Sequence, residues 1–260
     1  MNQFIAAGGN KEENIPYALK KSDTAITMLP SGNHVKKIYM GDDGIINNAD
    51  NNLLLIDSST IDVETSREVE KDANENNLKM LDAPVSGGVT GAEAGTLTFM
   101  VGGEEEAYNK VEYLFGIMGQ KSVLCGKSGA GQSAKICNNM ILGISMIGVC
   151  ESFNLAEKLN LNWERLYDVV STSSGSCWSV NTYCPAPGIG PESPADRNYQ
   201  PGFAADLMLK DLKLAKAAAE SVDAPTALGR HATEIYETFL ENGGKGMDFS
   251  AILPYLAKKL

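Results

Sequence analysis

A glycine loop that opens into one long unbroken helix constrains this chain more than any other stretch. It reads Gly126-Lys127-Ser128-Gly129-Ala130-Gly131-Gln132-Ser133-Ala134-Lys135-Ile136-Cys137-Asn138-Asn139 and continues to about Leu159. A short apolar run, Val123-Leu124-Cys125, enters it as a strand. The glycines permit a tight turn with backbone N–H groups exposed. From Met140 to Cys150 the residues are apolar on every side, which predicts a buried helix. That run is shorter than the ~20 apolar residues of a membrane span. Lys135 and Asn139 stand one turn apart and share a face. A lysine leading into a buried helix is costly unless it has work or a partner.

Gly129-Ala130-Gly131-Gln132-Ser133-Ala134 fits G-x-G-x-x-A, a dinucleotide-binding fingerprint, and lies between a strand and a helix. The fingerprint also needs a second strand ending in an acid ~20 residues on. Here those residues continue the helix, and Glu151 lies inside it. Spacing alone therefore favours a glycine-rich entry to a core helix, with a solvated lysine, over a cradle for a dinucleotide.

The remaining function classes narrow quickly. With 33 acidic and 22 basic residues the chain carries a net charge of -11, which argues against nucleic acid and against an anionic membrane surface. The five cysteines, Cys125, Cys137, Cys150, Cys177 and Cys184, are odd in number and form no C-x-x-C. They read as reduced thiols of an intracellular protein. His34 and His231 lack metal-ligand spacing, so no metal is expected. No signal peptide, transit peptide or transmembrane segment is recognisable. At 260 residues the chain can hold two modest domains.

In chain order, two short helices flank Gly8-Gly9. Thr24 to Leu29 then alternates as a strand and stops at Pro30. A helix follows near His34 to Tyr39. Leu53-Leu54-Leu55-Ile56 is a continuous apolar run, as in a strand buried on both faces of a parallel sheet. The hydroxyls of Ser58, Ser59 and Thr60 suit the N-cap of a helix over about 63–76. Strands at Met80-Leu81 and Leu97–Val101 and a helix over Glu104–Met118 complete an alternating α/β pattern with a parallel sheet. Beyond Gly126 the pattern is helical: about 163–171, 204–221, 226–242 and a short helix from about 249. The irregular Ser173–Gly202 segment carries Trp178, Tyr183 and Tyr199, which favours packing or function over disorder.

Two further groups carry chemistry. Ser86-Gly87-Gly88 follows a strand, where successive glycine N–H groups make either an anion nest or a tight turn without a ligand. Lys210-Asp211 lies within a helix and by itself reads as part of a solvated face.

Taken together these residues resemble the β-hydroxyacid dehydrogenases, and most the branch acting on 3-hydroxyisobutyrate. Asp82-Ala83-Pro84-Val85-Ser86-Gly87-Gly88 is similar to the family's substrate motif. Gly126 to Asn139 is similar to its catalytic motif, G-x-x-G-x-G-x-x-x-K-x-x-x-N. Lys210-Asp211-Leu212-x-Leu214-Ala215 is similar to its cofactor motif. Cys177-Trp178-Ser179, Thr182-Tyr183 and Pro185-x-Pro187-Gly188 resemble the stretch that marks the branch.

The resemblance implies NAD-dependent oxidation of a small hydroxyacid, with Lys135 as catalytic lysine and Asn139 beside it. Ser86, Gly87 and Gly88 would hold the substrate carboxylate. Leu29, Pro30, His34, Thr60 and Lys210 would touch NAD. It also implies a homodimer or homotetramer and a mitochondrial location. Alternatives are a sister enzyme such as a tartronate semialdehyde reductase, or a non-catalytic dimerisation or regulatory subunit. The fold expected is α/β: a partial Rossmann-like parallel sheet domain over 1–126, followed by an all-helical substrate and dimerisation domain over 127–260. The family's first strand–helix–strand unit, with its pyrophosphate turn, is missing. An N-terminally shortened chain that binds NAD poorly or not at all is therefore expected. Ser176 stands where the branch usually has Arg, and Pro201 where it usually has Gly.

Overall fold

A computed structural model describes residues 2–258 and forms two compact units. The first holds the residues up to Gly87 together with Gly91–Lys135, and the second holds Gly88–Thr90 and the residues from Ile136 on. The division falls inside the long helix rather than in the loop before it.

In the first unit, α1 (Asn2–Ala6) and α2 (Ile15–Leu19) precede β1 (Thr24–Thr27), α3 (Gly32–Met40), α4 (Ile45–Asn48) and β2 (Leu54–Asp57). Then come α5 (Val63–Glu75), β3 (Lys79–Asp82), β4 (Val85–Ser86), α6 (Gly88–Glu93), β5 (Leu97–Gly102), α7 (Glu105–Met118) and β6 (Gly119–Gly126). The strands β1, β2 and β3 run parallel, with Ile26 opposite Ile56 and Ile56 opposite Leu81. By contrast β5 lies antiparallel to β3 and β4, and β6 parallel to β5. The sheet is therefore mixed, not all-parallel as the alternating pattern suggests. The connections explain this. Between Ser86 and Leu97 the only helix has 6 residues, at the lower limit of a crossover, which takes ~10–12 residues with its helix. The chain folds back instead. The 14-residue α7 is long enough to carry the chain across and keep β6 parallel to β5.

The apolar run of β2 is buried throughout. Leu55 packs with Val35 and Tyr39 of α3 and Val69 and Ala73 of α5, while Leu54 and Ile56 join Phe99, Val111 and Phe115. The strand's period of two sends them to opposite faces. Leu55 and Ile56 are both 0% exposed, a burial that contributes roughly 2–3 kcal/mol each before entropy. Helix α5 is capped by Asp62, whose carboxylate accepts from the Thr65 N–H at 2.7 Å, not by a hydroxyl of Ser58–Thr60. Ser59 instead bonds Asp57 and the Leu29 N–H through its hydroxyl.

The helix α8 (Ala130–Lys158) starts in the first unit and continues in the second, followed by α9 (Trp163–Val170), α10 (Trp178–Asn181), α11 (Ala205–Ser221), α12 (Ala227–Phe239) and α13 (Ile252–Leu256). Met146, Cys150 and Phe153 of α8 share one core with Met208 and Leu212 of α11 and Ala232, Tyr236 and Phe239 of α12. Contrary to the sequence expectation, α8 is not buried all round. Ile141 and Leu155 are 66% and 59% exposed, because α11 and α12 cover only one side. By length and hydropathy α8 is also apolar enough to cross a membrane, more than the Met140–Cys150 run suggests. Its buried apolar residues form the core of the helical unit.

The Ser173–Gly202 segment is packed. Trp178 stacks on Tyr183 with ring centroids 4.8 Å apart, and the Tyr183 hydroxyl donates to Asp248 at 2.8 Å. Ser193 and Asp196 cap a short 3-10 turn reciprocally, and the Tyr199 hydroxyl donates to the Pro185 carbonyl at 2.9 Å. All five cysteines are free. Burial pushes the Cys184 thiol up to about 11.

Candidate active site

The head of α8 is set by Asp82 at the end of β3. One carboxylate oxygen accepts from the Gly129 N–H and the other from the Gln132 N–H, both at 2.8 Å. The first N–H groups of a helix lack partners within it, and a carboxylate suits them in both bonding and charge. Two glycines permit this approach. A Cβ on Gly131 would meet the Met100 carbonyl at 2.3 Å and Asp82 at 2.7 Å, and one on Gly102 would meet Asp82 at 2.3 Å. The anion position at this helix N-terminus is thus taken by the chain's own carboxylate. The glycines of G-x-G-x-x-A serve close packing here. Burial raises the Asp82 carboxyl above its ordinary value, and the two N–H bonds oppose that rise.

Past this turn, Lys135 is 7% exposed and Asn139 1%. The solvated lysine that spacing alone favours is ruled out. Asn139 donates through Nδ2 to Asp211 Oδ2 at 2.5 Å and accepts at Oδ1 from Asn138 Nδ2 at 2.9 Å. Asp211 is itself 2% exposed, and Lys210 Nζ lies 3.2 Å from its other oxygen. Lys210-Asp211 is therefore not a solvated face: α11 brings it to the Asn139 position of α8. An amide held on both sides in this way has one orientation, with its donor toward Asp211.

At the carboxyl ends of β1 and β2 lies a second network. The buried Asp57 accepts from Thr27 Oγ1 at 2.8 Å, from the Ser59 hydroxyl at 2.5 Å and from the Ser59 N–H at 3.2 Å. Burial raises its carboxyl, and these bonds oppose the rise. Thr27 also pairs with the Tyr39 hydroxyl at 2.7 Å. Ser59 Oγ accepts from the Leu29 N–H at 2.7 Å, which draws Leu29 and the Ser59-Thr60 peptide together. Leu29 and Thr60 are half-buried and Pro30 is exposed. His34 is exposed in the first turn of α3, and its Nδ1 is bonded to Ser31 Oγ at 2.8 Å.

Ser86 is half-buried in β4 opposite Thr98. Gly87 and Gly88 are exposed, with φ of +135° and +63°, values that glycine adopts without strain. The nearest atom to a Cβ on Gly88 would be the Gly202 carbonyl oxygen at 3.6 Å, so the turn is open on that side. Ser176 and Pro201 are both exposed. Sequence reasoning missed the roles of Asp57 and Gln132. Asp57 follows a buried strand, a position where an acid needs partners, and that was the available signal. Gln132 had no local signal.

Residues 1–126 match a family model described as the NAD binding domain of 6-phosphogluconate dehydrogenase, and residues 129–256 match NAD-binding of NADP-dependent 3-hydroxyisobutyrate dehydrogenase. The mitochondrial 3-hydroxyisobutyrate dehydrogenase of Rattus norvegicus is 43% identical over 99% of this chain and 77% of the rat protein. That of Pongo abelii is 45% identical over 99% of this chain and 76% of its own length. The chain belongs to the 3-hydroxyisobutyrate dehydrogenase family. The solved 3-hydroxyisobutyrate dehydrogenase of Mycobacterium tuberculosis, titled as a complex with L-serine, superposes with a TM-score of 0.91 at 44% identity. It covers 96% of this chain and 85% of that one.

Family membership makes the chain an NAD-dependent dehydrogenase, and small hydroxyacids fit it as substrates. The first unit is suited to this cofactor. In open α/β sheets, ligands bind outside the carboxyl ends of the strands. There, next to Ser59 and Thr60, Ser58 Oγ is buried without a hydrogen-bond partner among the described residues, a polar group left for something outside the protein to satisfy.

Proposed function

We propose that this member of the 3-hydroxyisobutyrate dehydrogenase family oxidises 3-hydroxyisobutyrate to methylmalonate semialdehyde, with Lys135 as its acid–base residue. The observation that carries this reading is the burial of Lys135, 7% exposed, in the second turn of a helix whose start is pinned by Asp82.

Oxidation removes the substrate's hydroxyl proton as a hydride leaves the same carbon. NAD, when bound, supplies the acceptor for that hydride. Lys135 as a neutral amine would take the hydroxyl proton at Nζ and return it in the reverse direction. Asn139, with its amide orientation set by Asp211 and Asn138, would hold the reacting oxygen in line. Ser86, Gly87 and Gly88 would receive the substrate carboxylate through the hydroxyl and open backbone N–H groups. Leu29, Pro30, His34 and Thr60 at the strand ends, together with Lys210, would contact NAD. In this reading residues 1–126 are the cofactor domain and 127–260 the substrate and dimerisation domain. The chain would work as a homodimer or homotetramer, and in mitochondria, a location that the names of its eukaryotic relatives support.

Steady-state assays with NAD and a panel of short hydroxyacids test the reading. The expected result is NADH formation with 3-hydroxyisobutyrate preferred and Lys135→Ala inactive. Preference for another hydroxyacid would overturn the substrate, and full activity of Lys135→Ala would overturn the mechanism.

A further inference from the structure

Gln132 stands three residues before Lys135 on α8 and is 0% exposed. Its side chain reaches a segment far away in the sequence. Nε2 donates to the Ser59 carbonyl at 2.7 Å, and Oε1 accepts from the Ile61 N–H at 3.1 Å. These two groups belong to the peptides on either side of Thr60, so one amide brackets that residue's backbone. The Gln132 N–H meanwhile donates to Asp82 at 2.8 Å, so the residue that grips the loop is itself anchored. Ser59 passes the constraint on, through its hydroxyl, to the Leu29 N–H and to Asp57.

A primary amide presents a donor and an acceptor side by side without charge. An apolar replacement would leave a buried carbonyl and a buried N–H unsatisfied. Ordinary packing does not require so specific a group between a loop and a helix start. We infer that Gln132 is a positioning residue that holds the Leu29–Thr60 side of the cofactor site in register with the head of the helix carrying Lys135. This rests on the proposed roles of Thr60 and Lys135. In hydride transfer a misplacement of about 1 Å can cost ~10²-fold, so a residue tying the two reactants' supports together controls rate as well as stability.

Two variants of the whole chain test this. Gln132→Met keeps the volume and removes both bonds. It should lower kcat at least tenfold and raise the Kd for NADH several-fold, while unfolding remains cooperative. Gln132→Glu keeps the shape. Protonated, it can donate to the Ser59 carbonyl and accept from the Ile61 N–H; ionised, it cannot donate. Its activity relative to the parent at the same pH should therefore fall as pH rises through the range where the buried carboxyl ionises and recover below it, a limb absent from the parent. The neighbouring ionisable groups, Asp82 on β3, Asp57 on β2 and Lys135 on α8, are common to parent and variant. Parental kcat and NADH affinity in Gln132→Met, or a parental pH profile in Gln132→Glu, would overturn the inference. If Gln132→Met does not fold, the low-pH recovery of Gln132→Glu decides. If the parent neither binds NADH nor turns over, the proposed function fails by itself. Amide exchange at Ile61 in the ligand-free protein then decides: it should quicken in Gln132→Met, and unchanged exchange would sink the coupling.

Discussion

Two turns in this chain look alike in sequence and behave oppositely in the structure. Gly129–Ala134 and Ser86–Gly88 each follow a strand, and each places glycine at the entry to a helix. At the first, Asp82 fills the space in front of the N–H groups, and Gly102 and Gly131 let it press in. At the second, Gly87 and Gly88 are exposed, and the nearest atom to a Cβ on Gly88 would be 3.6 Å away. A glycine pattern only licenses close approach. What the fold places in front of it decides whether the approaching group is part of the protein or a ligand.

The sharpest test of the filled turn is the residue it presents. Lys135→Ala should lower kcat by ~10²-fold or more with the fold intact. Lys135→Arg should not restore it, because a guanidinium stays charged and is bulkier. Near-normal turnover in circular-dichroism-checked Lys135→Ala would mean that the pinned helix presents nothing catalytic.

Alanine at the two turns separates packing from openness. In Gly131→Ala the new Cβ meets a backbone carbonyl at 2.3 Å, so urea unfolding should show a loss of about 1–3 kcal/mol. Gly88→Ala meets no such clash. It carries only the strain of its φ of +63°, on the order of 1 kcal/mol. A loss at Gly88 larger than that at Gly131 would remove the separation between a packed and an open turn.

The open turn should respond in binding instead. Ser86→Ala should change stability by no more than ~0.5 kcal/mol and raise KM for the hydroxyacid several-fold. A parental KM would remove Ser86 from the carboxylate site.

The smallest effect expected is in the pH dependence of stability. Burial raises the folded Asp82 carboxyl above its ordinary 3.8, so the folded chain keeps that proton to higher pH than the unfolded chain. This contribution is fully present below the unfolded value and is lost as pH rises through the folded one. Acidification from neutrality toward 3.8 should regain it, and Asp57, raised in the same direction by burial, adds with the same sign. Asp82→Asn should flatten Tm against pH over that window relative to the parent. Superimposable slopes would show that Asp82 titrates alike in both states.

Patterns with a short period were legible in the sequence. The apolar run of β2, the alternation that makes the first unit α/β, the unbroken α8 and the helical second unit all follow from local periodicity. So did the motif order that led to the family, which brought Lys135, Asn139, Ser86 and Lys210 into view. The turn of the sheet to antiparallel at β5 was decided by where a short connection could carry the chain, which local propensity does not encode. The one-sided burial of α8 depended on α11 and α12 covering only part of its circumference. Asp82 on the α8 turn, Gln132 around Thr60, and Asp211 on Asn139 each join groups remote in sequence. A carboxylate or amide carries no periodic mark of its partner. Its role appears only when folding removes water and leaves one group within bonding distance, because burial without that partner would be too costly.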